Sequence, residues 1–195
     1  GVDPIMNKLD LINEVKSKTD IQKLLAEYPT AISAPFFGVS SYSDPDDSNT
    51  NVAYIGTGSL GLPGRDYYLD QDDKSKEIRE QYKEHIVKML AYFGGSKEDA
   101  KFRAETVLKL ETQLAGPRLD KVARRDFRNF NNRYAVSDLS TVTKNIDLKA
   151  YMTDLGIEKL PDTVLVMEPK YMEALDSMIA ETPLEDLKTF MTWST

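Results

Sequence analysis

His85 is the only histidine among 195 residues, and it follows Glu84 directly. A catalytic zinc takes three protein ligands and leaves a fourth position to water. Its helical form needs two histidines one turn apart, with a glutamate beside the first. One histidine in a chain without cysteine cannot build that set, so His85 reads as a solvent-facing or satisfied side chain. The absence of cysteine also excludes disulfides, thiolate metal sites and cysteine nucleophiles. No serine sits in a credible nucleophile elbow, and the carboxylates are spread over helical surfaces with no pair that sequence can place together.

Two further patterns imitate chemistry. Gly56-Thr57-Gly58-Ser59-Leu60-Gly61 satisfies the dinucleotide fingerprint and follows a predicted strand. The fingerprint requires its last glycine to open a helix whose N-terminus faces the pyrophosphate, and here Leu62-Pro63-Gly64 intervenes, so the reading fails. Asp44, Asp46, Asp47, Asn49 and Asn51 crowd oxygen ligands of the kind calcium prefers. Counted from Asp44, however, the glycine position of an EF-hand loop holds Asn49 and the closing glutamate position holds Ile55. A solvated hairpin turn is the preferred reading, and a calcium-stabilised loop is the alternative.

The net charge of −7 repels phosphate backbones and anionic lipid surfaces. Only residues 118–133, with Arg118, Lys121, Arg124, Arg125, Arg128 and Arg133 among Phe127 and Phe130, resemble a single-strand binder. Asp120 and Asp126 interrupt that run, and local ion pairs and helix-end contacts account for it better than nucleic acid does. Hydrophobic residues at 41% and charged residues at 29% describe an ordinary globular chain of one domain. No apolar stretch approaches the length of a membrane span, and none of these residues reads as a signal peptide.

The elements that would position these residues are mostly helical. Ile5, Leu9, Ile12 and Val15 recur at helical spacing behind Pro4, and Ile21, Leu24 and Leu25 mark a second helix over 19–28 that Pro29 closes. Residues 34–42 and 51–55 read as a β-hairpin around the acidic turn. Residues 72–93 form the clearest helix, with Ile78, Tyr82, Ile86, Met89 and Phe93 as its apolar stripe and Gly94-Gly95 as a left-handed exit. Ser96 with Asp99 starts its partner, which buries Val107, Leu110 and Leu114 before Gly116-Pro117, so the two should pack as an antiparallel hairpin. Short helices are expected near 121–127, 137–143 and 148–155. Residues 163–167 suit a buried strand, although five residues do not settle that against a helix. Pro169 opens a helix through Ile179, and Thr182-Pro183-x-Glu185 is a capping box for a last helix through Trp193. The fold class is mainly α: a multi-helix domain with a long antiparallel helix hairpin and a small β-hairpin.

Between hairpin and long helix stands Leu60-Gly61-Leu62-Pro63-Gly64-Arg65-Asp66-Tyr67-Tyr68-Leu69. Two glycines and a proline within four positions forbid a regular element, and charge with aromatic bulk then follows where a plain surface turn uses neither. The run resembles the Gly-Leu-Gly-Leu-Pro-x-Arg-Asp-Tyr-Tyr-Leu stretch of the neprilysin and endothelin-converting-enzyme family of zinc metalloendopeptidases, which includes bacterial oligopeptidase O enzymes. Tyr82 to Leu90, Val107 to Ala115, Arg124-Arg125-Asp126, Phe130-Asn131-Asn132, Val166-x-x-Pro169-x-Tyr171 and Leu187-x-x-Phe190-Met191-x-Trp193 continue the resemblance in the family's order. Gly64 departs from it, standing where a polar residue is usual, and Ser194 follows the tryptophan where many members have arginine.

The resemblance implies the N-terminal helical region of a larger two-domain peptidase, residues 1–195 forming a single lid or chamber-wall domain. The family's His-Glu-x-x-His motif, third zinc ligand and substrate-gripping segment lie further toward the C-terminus and do not occur here. Zinc is therefore expected in the full-length enzyme and none on this chain, with no catalytic, cofactor-binding or metal-ligating residue among the 195. Gly61, Leu62, Pro63, Arg65, Asp66, Tyr67 and Tyr68 are expected to staple the loop rather than contact peptide. Expected partners are the catalytic domain of the same polypeptide and, in the full-length enzyme, oligopeptide substrates, with no nucleic acid and no membrane contact by this region. A bacterial, extracytoplasmic setting is implied, with the cytoplasm as the alternative. A self-standing helical module that binds a peptide or protein is the competing reading of the same amphipathic helices.

Overall fold

The computed structural model describes residues 3–28 and 34–195. In chain order the elements are α1 (Asp3–Glu14), α2 (Lys18–Leu25), β1 (Phe37–Ser43), β2 (Asn51–Thr57), α3 (Arg65–Leu69), α4 (Asp73–Ala91), α5 (Lys97–Ala115), β3 (Arg133–Ala135), α6 (Leu148–Asp154), β4 (Thr163–Val166), α7 (Pro169–Glu181) and α8 (Leu184–Trp193). Short 3₁₀ segments occupy Ala123–Arg125, Phe127–Phe130 and Val136–Thr141, in the region where short helices were expected near 121–127 and 137–143. The mainly helical class with a small β element holds. The chain separates into two compact units, one built from residues 1–15, 60–118 and 182–195, the other from 16–59 and 119–181.

The first unit is helical. The α4–α5 hairpin forms as its punctuation dictates. Asp72 and Ser96 accept hydrogen bonds from the backbone N–H groups of Ser75 and Asp99, and Gly94 and Gly95 turn the chain at φ of +94° and +98°. The buried face of α4 differs from the expected stripe. Ile86 and Leu90 are fully buried against Ala100, Ala104 and Val107 of α5, whereas Met89 and Phe93 are 39% and 43% exposed. The i, i+4 row through Tyr82, Ile86 and Leu90 meets α5, and the i+3 positions turn outward. Ile12 of α1 and Val15 just beyond it are buried, while Ile5 stays exposed.

Helix α8 closes this unit. Lys188 Nζ donates to the carbonyls of Asn13 and Val15 at 3.2 Å, satisfying acceptors at the end of α1. The capping box expected at Thr182 does not form. Pro183 itself takes the N-cap position, with ψ of 142°, and no side chain caps the helix. An unexpected capping box starts α2 instead, where Ser17 and Asp20 exchange side-chain and backbone hydrogen bonds.

The second unit holds a four-stranded sheet in the order β1-β2-β4-β3. The expected hairpin pairs Phe37 with Thr57 through Ser43 with Asn51. It is extended by β4, which runs parallel to β2 from Tyr54–Leu165 to Ile55–Val166, and by the short antiparallel β3. The open strand-or-helix question at 163–167 is thus answered as strand, and Val164, Leu165 and Val166 are fully buried. Residues 29–33, including the expected stop at Pro29, lie outside the described residues.

Asp176 of α7 fastens the loop before α6. Its carboxylate accepts from the backbone N–H groups of Lys144, Asn145 and Ile146 at 2.8–3.0 Å and from the Asn145 side-chain amide at 3.0 Å. Asp176→Ala strands three backbone donors and should lower unfolding stability by about 3 kcal/mol, read as a drop in urea midpoint. An unchanged midpoint would show that water replaces the carboxylate without cost.

Candidate functional site: a buried carboxylate under the signature loop

The first unit contains one residue, within the Val107 to Ala115 stretch, that the sequence pattern does not single out. Glu111 lies on the buried stripe of α5, one turn from Val107 and beside Leu110 and Leu114, and is only 2% exposed. A carboxylate at a core position of an amphipathic helix was the available signal, because a buried charge must be matched by donors.

Those donors come from the signature loop and its neighbours. Tyr68 donates its hydroxyl proton to Glu111 Oε2 at 2.7 Å, and Tyr68 Oη accepts from the Leu62 N–H at 2.8 Å. The Gly61 N–H and the Tyr82 hydroxyl both donate to Oε1, at 3.2 and 3.0 Å. Trp193 Nε1 then donates to Tyr82 Oη at 2.9 Å, its ring edge-on to Tyr82 at 6.0 Å and to His85 at 5.9 Å. One carboxylate thereby joins the loop, α3, α4, α5 and α8. Burial pushes the Glu111 carboxyl above its ordinary value, against the hydrogen bonds that favour the ion. Burial, followed by the Glu111 charge, pushes both tyrosines up.

The signature residues fall into place around this hub. Gly61 has no room for a side chain: a Cβ there would lie 1.7 Å from Tyr82 Oη. Arg65 through Leu69 form one helical turn, α3, rather than an irregular connection. Arg65 Nη1 donates to the Arg118 carbonyl at 2.8 Å, and the Tyr67 carbonyl accepts from Arg79 at 2.8 Å. Asp66 accepts through its backbone carbonyl from Asp70, Leu62 contributes its N–H, and Pro63 is exposed. The Glu111 oxygens, the Tyr68 and Tyr82 hydroxyls and the Gly61 and Leu62 N–H groups are matched with one another, whereas the buried Arg65 Nε has no hydrogen-bond partner among the described residues.

The imitated sites resolve in the same way. Gly58 is a glycine because the backbone at 34–36 passes too close for a Cβ, and Gly61 opens no helix, since α3 starts only at Arg65. Asp44 and Asp46 hold the Arg133 guanidinium at 2.6 and 3.0 Å, and the Asp47 carboxylate accepts from the Asn49 N–H, so the acidic loop is a pinned hairpin turn. Among the described residues no group of three or more His, Cys, Asp or Glu side chains is placed to hold a metal ion. His85 is exposed on α4, with Trp193 as its aromatic neighbour. The residues present do not fit a catalytic zinc.

This helical packing with a small sheet is that of the N-terminal part of zinc metalloproteases. The whole chain matches 30% of Mycobacterium tuberculosis zinc metalloprotease Zmp1 in its open state, with a TM-score of 0.88 at 28% identity. It also shares its fold with PepO from Lactobacillus rhamnosis, at a TM-score of 0.76 and 14% identity over 99% of this chain and 30% of that one. In sequence it is 28% identical over 178 residues to human endothelin-converting enzyme 1, a match spanning 89% of this chain and 23% of the enzyme. The sequence model of peptidase family M13 matches residues 1–195, and the chain belongs to that family, the neprilysin-like zinc metalloendopeptidases, as its N-terminal region. The chain spans less than a third of the length of these relatives.

Proposed function

We propose that this chain is the non-catalytic lid and chamber wall of a zinc metalloendopeptidase that hydrolyses oligopeptides. Zinc, general base and attacking water belong to a catalytic domain on the same polypeptide, against which the helical region packs. The observation that carries this reading is a full-length match to the family's N-terminal region in a chain whose one histidine is exposed on a helix. The Glu111 cluster supports it further, because Gly61, Leu62 and Tyr68 of the signature spend their donors and acceptors within the helical packing. Gly61, Leu62, Pro63, Arg65, Asp66, Tyr67 and Tyr68 act as a staple that keeps the wall rigid. The enzyme works outside the cytoplasm, as the resemblance implies.

The 195 residues alone should hold no stoichiometric zinc by elemental analysis and should leave a quenched fluorogenic oligopeptide uncut. One equivalent of tightly held zinc together with zinc-dependent cleavage would overturn the proposal.

A further inference from the structure

Within the second unit the turn at residues 120–128 spends its acidic side chains on its own backbone. Asp120 Oδ1 accepts from the N–H groups of Val122 and Ala123 at 2.9 and 2.8 Å. Asp126 caps Arg128 N at 3.0 Å and takes the Arg128 guanidinium in a two-pronged pair with a shortest contact of 2.7 Å. The Asn129 amide donates to the Ala123 carbonyl at 2.7 Å, and the Leu119 N–H to Glu168 at 2.6 Å, so both ends of the turn are fastened. What the turn presents outward is therefore unmatched. Among the described residues Lys121, Arg124 and Arg125 are exposed and make no ion pair, Val122 is 75% exposed, and Phe127 is 52% exposed.

Three cations and two apolar side chains on one fastened turn, in a chain of net charge −7, are not used in packing among the described residues. Within the turn the local ion pairing expected of this stretch is realised at Arg128, and beyond it at Arg133. Arginines held at a fixed spacing suit carboxylates, which they engage through paired N–H donors. The exposed valine and phenylalanine call for apolar side chains between those carboxylates. A long polyanion would also feel the negative charge of the rest of the molecule. A short peptide sees only groups within a Debye length of ~10 Å at ~0.1 M salt. Peptide is favoured over nucleic acid on that ground.

We propose that the 121–127 turn is a docking surface for acidic peptide segments, with Arg124 and Arg125 gripping carboxylates and Val122 and Phe127 receiving the intervening apolar side chains. The proposal borrows from the peptidase reading only the class of molecule. It needs neither zinc nor turnover, so its failure and the failure of that reading are separable.

The test is fluorescence anisotropy of the intact 195-residue chain with a fluorescein-labelled peptide of alternating glutamate and leucine. The peptide should bind, weakening roughly ten-fold between ~50 and ~300 mM salt, and a lysine-leucine counterpart should not bind. Arg124→Glu with Arg125→Glu should weaken binding by about ten-fold or more. Val122→Ser with Phe127→Ser should weaken it several-fold while keeping the salt dependence. Lys97→Glu with Lys101→Glu on α5 should change nothing. All substituted positions are exposed, and unchanged far-UV circular dichroism confirms that each variant is folded. Equal binding of the two peptides, indifference to the Arg124 and Arg125 reversals, no binding at millimolar protein, or tighter binding of oligothymidylate would each overturn the proposal.

Discussion

Glu111→Ala should lower the stability of the chain by about 3 kcal/mol, seen as a reduced urea midpoint with loss of near-ultraviolet signal from Trp193. The substitution removes the acceptor of the Tyr68 hydroxyl, the Tyr82 hydroxyl and the Gly61 N–H together. A buried donor left without a partner costs on the order of 1–3 kcal/mol. Release from burying the charge offsets part of that sum, which is why the estimate stays near the cost of one or two donors. Glu111→Gln keeps one oxygen but turns an N–H₂ toward a donor, so it should fall between the two. Tyr68→Phe combined with Glu111→Gln should be less damaging than the sum of the singles, because the two remove the same hydrogen bond.

The pH dependence follows from burial. The folded protein holds the Glu111 proton more tightly than the unfolded chain, whose carboxyl titrates near the ordinary value of 4.5. Its contribution is complete below that value and is lost as pH rises through the higher folded value. The stability advantage of the wild type over Glu111→Gln should therefore shrink as pH rises above about 4.5. The exposed caps Asp20 and Asp72 behave oppositely, since the Lys16 N–H and the Ser75 hydroxyl respectively hold their carboxyls below the usual range. They titrate in both proteins and cancel in the difference. A difference curve flat from pH 4 to 8 would show that Glu111 does not titrate with folding in that window.

The second large effect is expected at Gly58. A Cβ there would stand 2.5 Å from the Phe36 nitrogen, 2.7 Å from its carbonyl carbon and 2.8 Å from the Ala34 carbonyl oxygen. These are backbone atoms that no rotamer change can clear. Phe36 is itself held at a positive φ of 68°, with its carbonyl accepting from the Gly58 N–H at 2.8 Å and from the Tyr171 hydroxyl. Gly58→Ala should cost about 2–3 kcal/mol through overpacking, measured by thermal unfolding. Gly64→Ala is the matched control, with open space around its Cβ and an extended φ of −169°, and should stay within about 0.5 kcal/mol of wild type. Equal effects at the two glycines would refute the close-packing explanation of the dinucleotide-like run.

The elements set by neighbouring residues were readable in the sequence. The α4–α5 hairpin, its glycine exit and the Ser96 start depend on contacts within a few positions, and so do α6 and α7. The sheet was only half readable, because the parallel β2–β4 pairing joins residues more than a hundred positions apart through two registered pairs. Nothing local in Thr163–Val166 announces that partner. The Thr182 cap misled because a threonine before proline satisfies the pattern whether or not the backbone turns its hydroxyl inward. The signature loop could be recognised by resemblance, but its anchor could not. Glu111 becomes a hub only when the loop, α3 and α4 bring their donors to it.

The threading of the first unit governs when it can exist. Its three pieces are separated by 44 and 63 residues that belong to the other unit, counted as 16–59 and 119–181. Lys188 reaches back across 173 positions to the carbonyl of Val15. On a ribosome emitting the chain from its N-terminus, the residues of the second unit are all released before α8 has emerged. The first unit waits, with the sides of α1 and α5 that pack on α8 uncovered, until almost the last of these residues is made. A nascent chain stalled before Leu187 should therefore be protease-sensitive over α1 and α5 while the sheet region already resists, an order of maturation that the linear sequence conceals.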